Sequence, residues 1–248
     1  MVPLGEKVIP MKWRKDNEGK VPDISTKTRL ISFFGLEEGV EIYLYLASVL
    51  SKLGKRVLVL DNTRSQLFSE CIPYLPGSES IVEYKYVSYT IKQQYDKNLF
   101  YLYDVVINIS GYEYDATMEK MSDIVYVVAD FQKTHLHMVQ EAILALAGNF
   151  NIIYRDFTGG CVDAGYVEAV LHGRMGGKVA ERIMLSLTKE DYLDSLQMQY
   201  NNTFQFEKLS PHYRELIIHI VQRACQEYAW KVPPMFRRNY RFSGIKNK

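Results

Sequence analysis

The chain has 248 residues and a mass of 28.8 kDa, with a formal net charge of +1, 47% hydrophobic and 24% charged residues. That composition can build a core, so it excludes a disordered or low-complexity chain, and the near-neutral charge removes any global case for nucleic acid. No apolar run approaches the ~20 residues of a membrane span. The charged N-terminus MVPLGEKVIPMKWRKDNEGK does not read as a signal peptide.

A polar leader, residues 1–28, comes first. RLISFF, from Arg29 to Phe34, is then a β-rich strand closed by Gly35. VEIYLYLASVLSKLG places Val40, Leu44, Ala47 and Leu50 at helical spacing and stops at Gly54. KRVLVLDN predicts a second buried strand, Arg56 to Leu60, ending in Asp61. After a turn-rich stretch with Pro73, Pro76 and Gly77, IVEYKYVSYTI partly alternates in the period of a strand. YDVVINISG (Tyr103 to Gly111) and DIVYVVAD are further apolar strands; THLHMVQEAILALAG predicts a helix to Gly148, followed by the strand FNIIYRD. ERIMLSL reads as the last strand. SPHYRELIIHIVQRACQEYAW reads as a long amphipathic helix with Ser210 at the N-cap and Pro211 at the first helical position. Near-continuous apolar strands alternating with helices predict an α/β fold: a three-layer α/β/α sandwich around a mostly parallel, doubly wound sheet. The domain spans residues 29–230, and a basic tail, residues 231–248, follows it. Cys71, Cys161 and Cys225 are widely spaced without a C-x-x-C pair, and read as reduced, buried thiols of a cytoplasmic protein.

In such a sheet ligands bind beyond the carboxyl ends of the strands, which directs attention to the segments 35–39, 61–65, 108–112 and 130–134. There RLISFFGLEEGVEIYLYLASVLSKLGKRVLVLDN resembles the opening of the MinD/ParA group of P-loop ATPases, in which a strand leads through a glycine-rich phosphate loop to a helix and a second strand. The match is tightest over YLASVLSKLGKRVLVLD, Tyr45 to Asp61. YDVVINISG is similar to the group's next strand, DIVYVVADFQKTHLHMVQEAI to the strand and helix after it, and LSPHYRELIIHIVQRA to its last helix. The resemblance runs over nearly all of Arg29–Tyr228. It implies a P-loop NTPase fold and cytoplasmic spatial organisation of division, chromosome, flagellar or pilus machinery, with a peripheral place at the membrane or cell pole.

The chain departs from the group where the chemistry lies. Counted back from Tyr45, the loop K-G-G-x-G-K-T-T falls on Phe34 to Glu41. Phe34 stands at the lysine that would reach across a dimer, Glu38 at a glycine, Gly39 at the phosphate-binding lysine, Val40 at the magnesium-binding hydroxyl and Asn108 at the strand-end aspartate. Gly35 and Asp61 are kept. A one-residue gap moves Gly39 onto a motif glycine, but no shift puts a lysine beside a Ser or Thr. Phosphate loops need free backbone N–H groups, a helix N-terminus and a lysine together. Glu37, Glu38 and Glu41 surround this helix start instead, and like charges about 4 Å apart repel by roughly 4 kcal/mol at a surface-like dielectric. Acidic residues also complement the helix dipole, by roughly 0.3–1 kcal/mol each. ATP and magnesium are therefore disfavoured, and the resemblance implies a pseudo-ATPase scaffold, with the TadZ/CpaE-like branch the nearest analogue. It also implies protein partners and a homodimer, with Phe34 at the subunit face. A divergent ATPase using Asp61, its cation supplied by Lys178, is the competing class.

Other candidates read as structure. His135 and His137 are two apart and leave a helix on different faces, so they do not form a metal pair. Gly159–Gly160 and Gly176–Gly177 read as loops, Tyr84, Tyr86 and Tyr89 as half-buried packing, and Asp115 with Glu119 as a solvated helix face. The tail KVPPMFRRNYRFSGIKNK interleaves Phe236, Tyr240 and Phe242 with Arg237, Arg238 and Arg241, and carries no acid. It predicts an arm folded back on the domain or docked on a partner protein, an acidic membrane surface or nucleic acid, the last making a partition-type DNA-binding protein the third class.

Overall fold

The computed structural model describes residues 27–73, 81–90, 97–158, 164–201 and 206–225. The leader short of residue 27, the segment with Gly159–Gly160 and Cys161, and the tail with Arg237, Arg238 and Arg241 lie outside the described residues. The strands are β1 (Arg29–Gly35), β2 (Val57–Asp61), β3 (Ile81–Tyr84), β4 (Val87–Thr90), β5 (Val105–Gly111), β6 (Ile124–Ala129), β7 (Phe150–Phe157) and β8 (Val179–Ser186). The helices are α1 (Val40–Lys52), α2 (Ala116–Met121), α3 (Lys133–Ala145), α4 (Ala164–Met175), α5 (Lys189–Asn201) and α6 (Pro211–Ala224).

Among the described residues the strands form one eight-stranded sheet in the order β3-β4-β2-β5-β1-β6-β7-β8, parallel except for the β3–β4 pair. Alternate residues of each central strand enter opposite layers, as the two-residue period requires. Ile31, Phe33, Val57, Val59, Val105, Ile107 and Ile109 pack with α1 and α6 on one face. Phe34, Val125 and Val127 pack with α3 and α4 on the other, beside a smaller cluster where Leu30, Leu58, Leu60 and Val106 meet Met118 of α2. The α/β/α sandwich read from the alternation is the fold observed.

Three elements differ from expectation. IVEYKYVSYTI is a hairpin rather than one strand: Lys85 and Tyr86 turn the chain at φ 48° and 65°, with Ile81 opposite Thr90. No Gly or Asn marks that turn, so period alone could not show it. α1 is buried nearly all round, from Val40 through Ala47, because α6 and α5 lie over it; the amphipathic stripe seen in the sequence is only part of what packs. α3 ends at Ala145, short of Gly148. By contrast α6 starts where expected. Ser210 Oγ accepts from the Tyr213 N–H at 3.3 Å, and Tyr213, Leu216, Ile217, Ile220, Val221 and Ala224 form its buried stripe.

Candidate functional site

β1 is central, between β5 and β6. The chain leaving β1 crosses to β2 through α1 on one face, whereas the chain leaving β5 crosses to β6 through α2 on the other. The crevice beyond the carboxyl ends of β1 and β5 is therefore the topological switch point, where open α/β sheets bind ligands. Gly35, Glu38, Gly39, Val40, Asp61 and Asn108 all lie at or beside it.

The chain's own side chains occupy this crevice. Leu36 is buried and its N–H continues the β6 ladder to the Val128 carbonyl at 2.8 Å, so that donor is turned away from any ligand. The Glu37 side chain crosses Gly111, where a Cβ would meet Glu37 Cγ at 2.6 Å, and its Oε2 accepts from Ser65 Oγ at 2.7 Å. One carboxylate thus bridges the loops after β1, β2 and β5. Glu38 is exposed. Gly39, at φ 109°, is the N-cap of α1 and provides no side-chain cap.

At Gly39 the structure holds a residue that the sequence reading missed. A Cβ there would collide with Nη1 of Arg155, whose guanidinium lies against the first turn of α1. Arg155 Nη2 donates to Glu41 Oε1 at 3.0 Å, and Arg155 Nε donates to Asp156 Oδ2 at 2.8 Å. The same Glu41 oxygen accepts from the Tyr213 hydroxyl at 2.8 Å, so β7, α1 and α6 meet at one carboxylate. Arg155 is 9% exposed and Glu41 4%. Burial works against the arginine's charge, yet Glu41, Tyr213 and Asp156 raise its pKa on balance, and it stays a cation. Burial, reinforced by Glu41, raises the Tyr213 phenol far above its usual value and keeps it a donor. Asp156 takes a left-handed φ of 61°, and the β7–β8 register slips between Tyr154 and Phe157. This irregularity aims Arg155 across the sheet edge. The signal available was a charged residue near the carboxyl end of an apolar strand, β7, outside the segments 35–39, 61–65, 108–112 and 130–134.

Asp61 serves as a turn anchor. Its Oδ1 accepts from the Thr63 N–H at 3.1 Å and from Thr63 Oγ1 at 2.5 Å, and its Oδ2 accepts from the Phe68 N–H at 2.9 Å. Burial raises its pKa, against the lowering effect of those bonds. The Asn108 amide is equally committed: it donates to Ser32 Oγ and Ser110 Oγ, each at 3.0 Å, and accepts from Asn62 Nδ2 at 2.7 Å. Asp130, at the end of β6, accepts from the Gln132 N–H and bonds His135 Nδ1 at 2.8 Å. His137 lies on the exposed side of α3. Next to the crevice an open polar cleft of about 580 Å³ is lined by Asn62, Arg64, Lys97, Ser110, Glu113 and Asp115, among others.

Several expectations are corrected by position. Phe34 is 1% exposed and packs inside the second core layer, so its side chain is not available to a second subunit. Lys178 precedes β8, at the opposite edge of the sheet, and its Nζ donates to the Leu146 carbonyl at 2.7 Å; it cannot serve the loop after β1. Of the three carboxylates around the helix start, Glu38 is exposed, Glu37 is half-buried with its bond to Ser65 at the surface, and Glu41 is buried. Asp115 caps α2, and Glu119 accepts from the Ala147 and Gly148 N–H groups at 2.8 and 2.7 Å, so the two have separate structural roles. Tyr89 is buried on Phe68 while Tyr86 is 74% exposed, so the three tyrosines make no common surface. Gly176–Gly177 form the α4–β8 turn, as expected, and Gly159–Gly160 lie outside the described residues.

No protein-family model matches the chain, and no curated protein matches its sequence. Solved structures do match it. A chain of the MinC:MinD cell division protein complex of Aquifex aeolicus shares 14% identity, the match covering 83% of this chain and 98% of that one with a TM-score of 0.55. The Aquifex aeolicus MinD cell division protein, also 14% identical, covers 83% and 99% with a TM-score of 0.52. At that identity the likeness establishes the fold: the chain has the architecture of MinD over almost the whole of those proteins.

Proposed function

We propose that this chain is a MinD/ParA-type protein that does not hydrolyse ATP and acts as a scaffold or localisation factor. It would position a pilus or secretion, division or partition assembly through protein partners. The observation that carries this reading is the crevice filled from within: Glu37 spans it to Ser65, and Arg155 lies on Gly39, paired to Glu41. These residues do not fit a magnesium triphosphate. A phosphate entering at Gly39 would have to take Arg155 from Glu41, and breaking a buried ion pair costs about 3–5 kcal/mol. It would also face Glu37 and Glu38 without a lysine. Asn108, at the position of a metal-supporting carboxylate, carries no charge, and its amide N–H groups are committed to Ser32 and Ser110. A protein partner suits this fold, since one of the matched MinD structures is a complex with MinC. Self-association belongs to the same proposal, but through a surface other than Phe34.

Calorimetry and thermal-shift measurements with ATP and magnesium test it. The expected outcome is no heat and no shift in Tm at millimolar nucleotide. Micromolar affinity with turnover would instead establish the divergent ATPase, for which the supporting observation is Arg155, a cation at the start of α1 supplied by β7 rather than by Lys178. The DNA-binding reading predicts affinity that disappears at moderate salt and on removal of residues 231–248.

A further inference from the structure

We propose that Arg155, Glu41 and Tyr213 form a latch that holds the loop after β1 against the sheet and transmits its opening to the start of α6. The proposal deepens the reading above, because it names what keeps that loop filled and where its release would be felt. Glu41 Oε1 is the hub, receiving Arg155 Nη2 at 3.0 Å and the Tyr213 hydroxyl at 2.8 Å. The three residues come from α1, β7 and α6, so no local sequence preference brings them together. Tyr213 is tied to α1 a second time, edge-on against Tyr45 with ring centroids 6.2 Å apart, and its N–H is the one that Ser210 caps.

The arrangement is kept against several costs. Two ions are buried, Asp156 holds a left-handed φ of 61°, and Arg155 Nη1 is buried with no hydrogen-bond partner among the described residues. A left-handed non-glycine residue persists where the surrounding structure over-determines it, and such residues cluster at ligand clamps and switch regions. A ligand or a partner's anionic group entering at Gly39 must move the guanidinium that lies there. Glu41 then keeps only the Tyr213 hydroxyl, and a half-satisfied buried carboxylate pulls on the first turn of α6. The outer helical layer thereby senses the loop.

Native-state amide hydrogen exchange on Y213F, R155Q and the double variant tests the latch. Removing the Tyr213 hydroxyl leaves the ring packing in place, and exchange is expected to quicken about tenfold at residues 40–43 and 155–157 as well as in the first turn of α6. In the double variant the two accelerations should fall well short of multiplying, because both changes act through Glu41. Faster exchange confined to α6 in Y213F, or multiplying effects in the double variant, would overturn the latch. Should R155Q fail to fold, the spread of exchange in Y213F decides alone. Nucleotide binding by the wild-type chain would refute the pseudo-ATPase reading and leave this exchange result standing by itself.

Discussion

Arg155 shows how a single residue decides the chemistry of the crevice. An ion of its size loses several kcal/mol of hydration on burial, which only a well-placed partner offsets. A guanidinium suits the position because its fork donates in two directions at once, to Glu41 and to Asp156. Its counterpart is a missing atom: Gly39 has no Cβ, and its φ of 109° is one that L side chains rarely adopt. Gly39→Ala therefore meets both a collision and a strained backbone, and we expect a loss of about 2–3 kcal/mol. Urea denaturation should show a lower midpoint at unchanged slope. Asp61 is the instructive contrast. Its position at a strand's carboxyl end admitted both catalysis and turn anchoring, and its three backbone and side-chain donors are the bonds of a turn anchor.

Secondary-structure elements were set by different amounts of local information. α6 carries its own start signal, Ser210 then Pro211, and its own buried stripe, so its position followed from the chain alone. The β3–β4 hairpin carries none. Lys85 and Tyr86 hold the left-handed values that a two-residue turn needs, at a cost a glycine would not bear. Tyr86 is 74% exposed. Tyr86→Gly is expected to stabilise the protein by roughly 0.5–1 kcal/mol through relief of that strain, seen as a rise in Tm. A fall would mean that the exposed ring contributes packing which its accessibility does not suggest.

At the scale of the whole molecule, buried phenols set the alkaline limit. Burial, as the leading cause, raises the pKa of Tyr43, Tyr45, Tyr89, Tyr154 and Tyr213, and pushes Tyr126 up to about 12. A folded value above the unfolded one, about 10, leaves stability intact below pH 10 and erodes it as pH climbs further. Asp104 and Asp123 have the opposite sign. Burial alone would raise them, but hydrogen bonds from Arg56 to Asp104, and from Leu30, Lys27 and Arg29 to Asp123, lower both. Their contribution is full above the unfolded value of about 4 and is lost as pH falls through the folded one. Asp61, raised by burial, partly offsets this by gaining stability on protonation. Unfolding midpoints measured across pH should form a plateau from about pH 5 to 9 with a fall on each side. A steady decline between pH 7 and 9 would contradict the assignment of the tyrosines as buried and neutral.

The alternation of buried strands with helices determined the layered α/β fold, because strands covered on both faces must be apolar throughout and the chain between them must cross over as helix. The same local rules put Gly35, Gly39, Asp61 and Asn108 at the carboxyl edge, and showed that no lysine follows the first strand. Only the tertiary structure decided what stands in its place. Arg155 lies far along the chain from Gly39, and its approach depends on a slipped register in β7 that no local pattern records. Phe34 was misjudged for a related reason: in a strand covered on both faces either side of the pleat is interior, so an apolar residue there marks the core before it marks a surface.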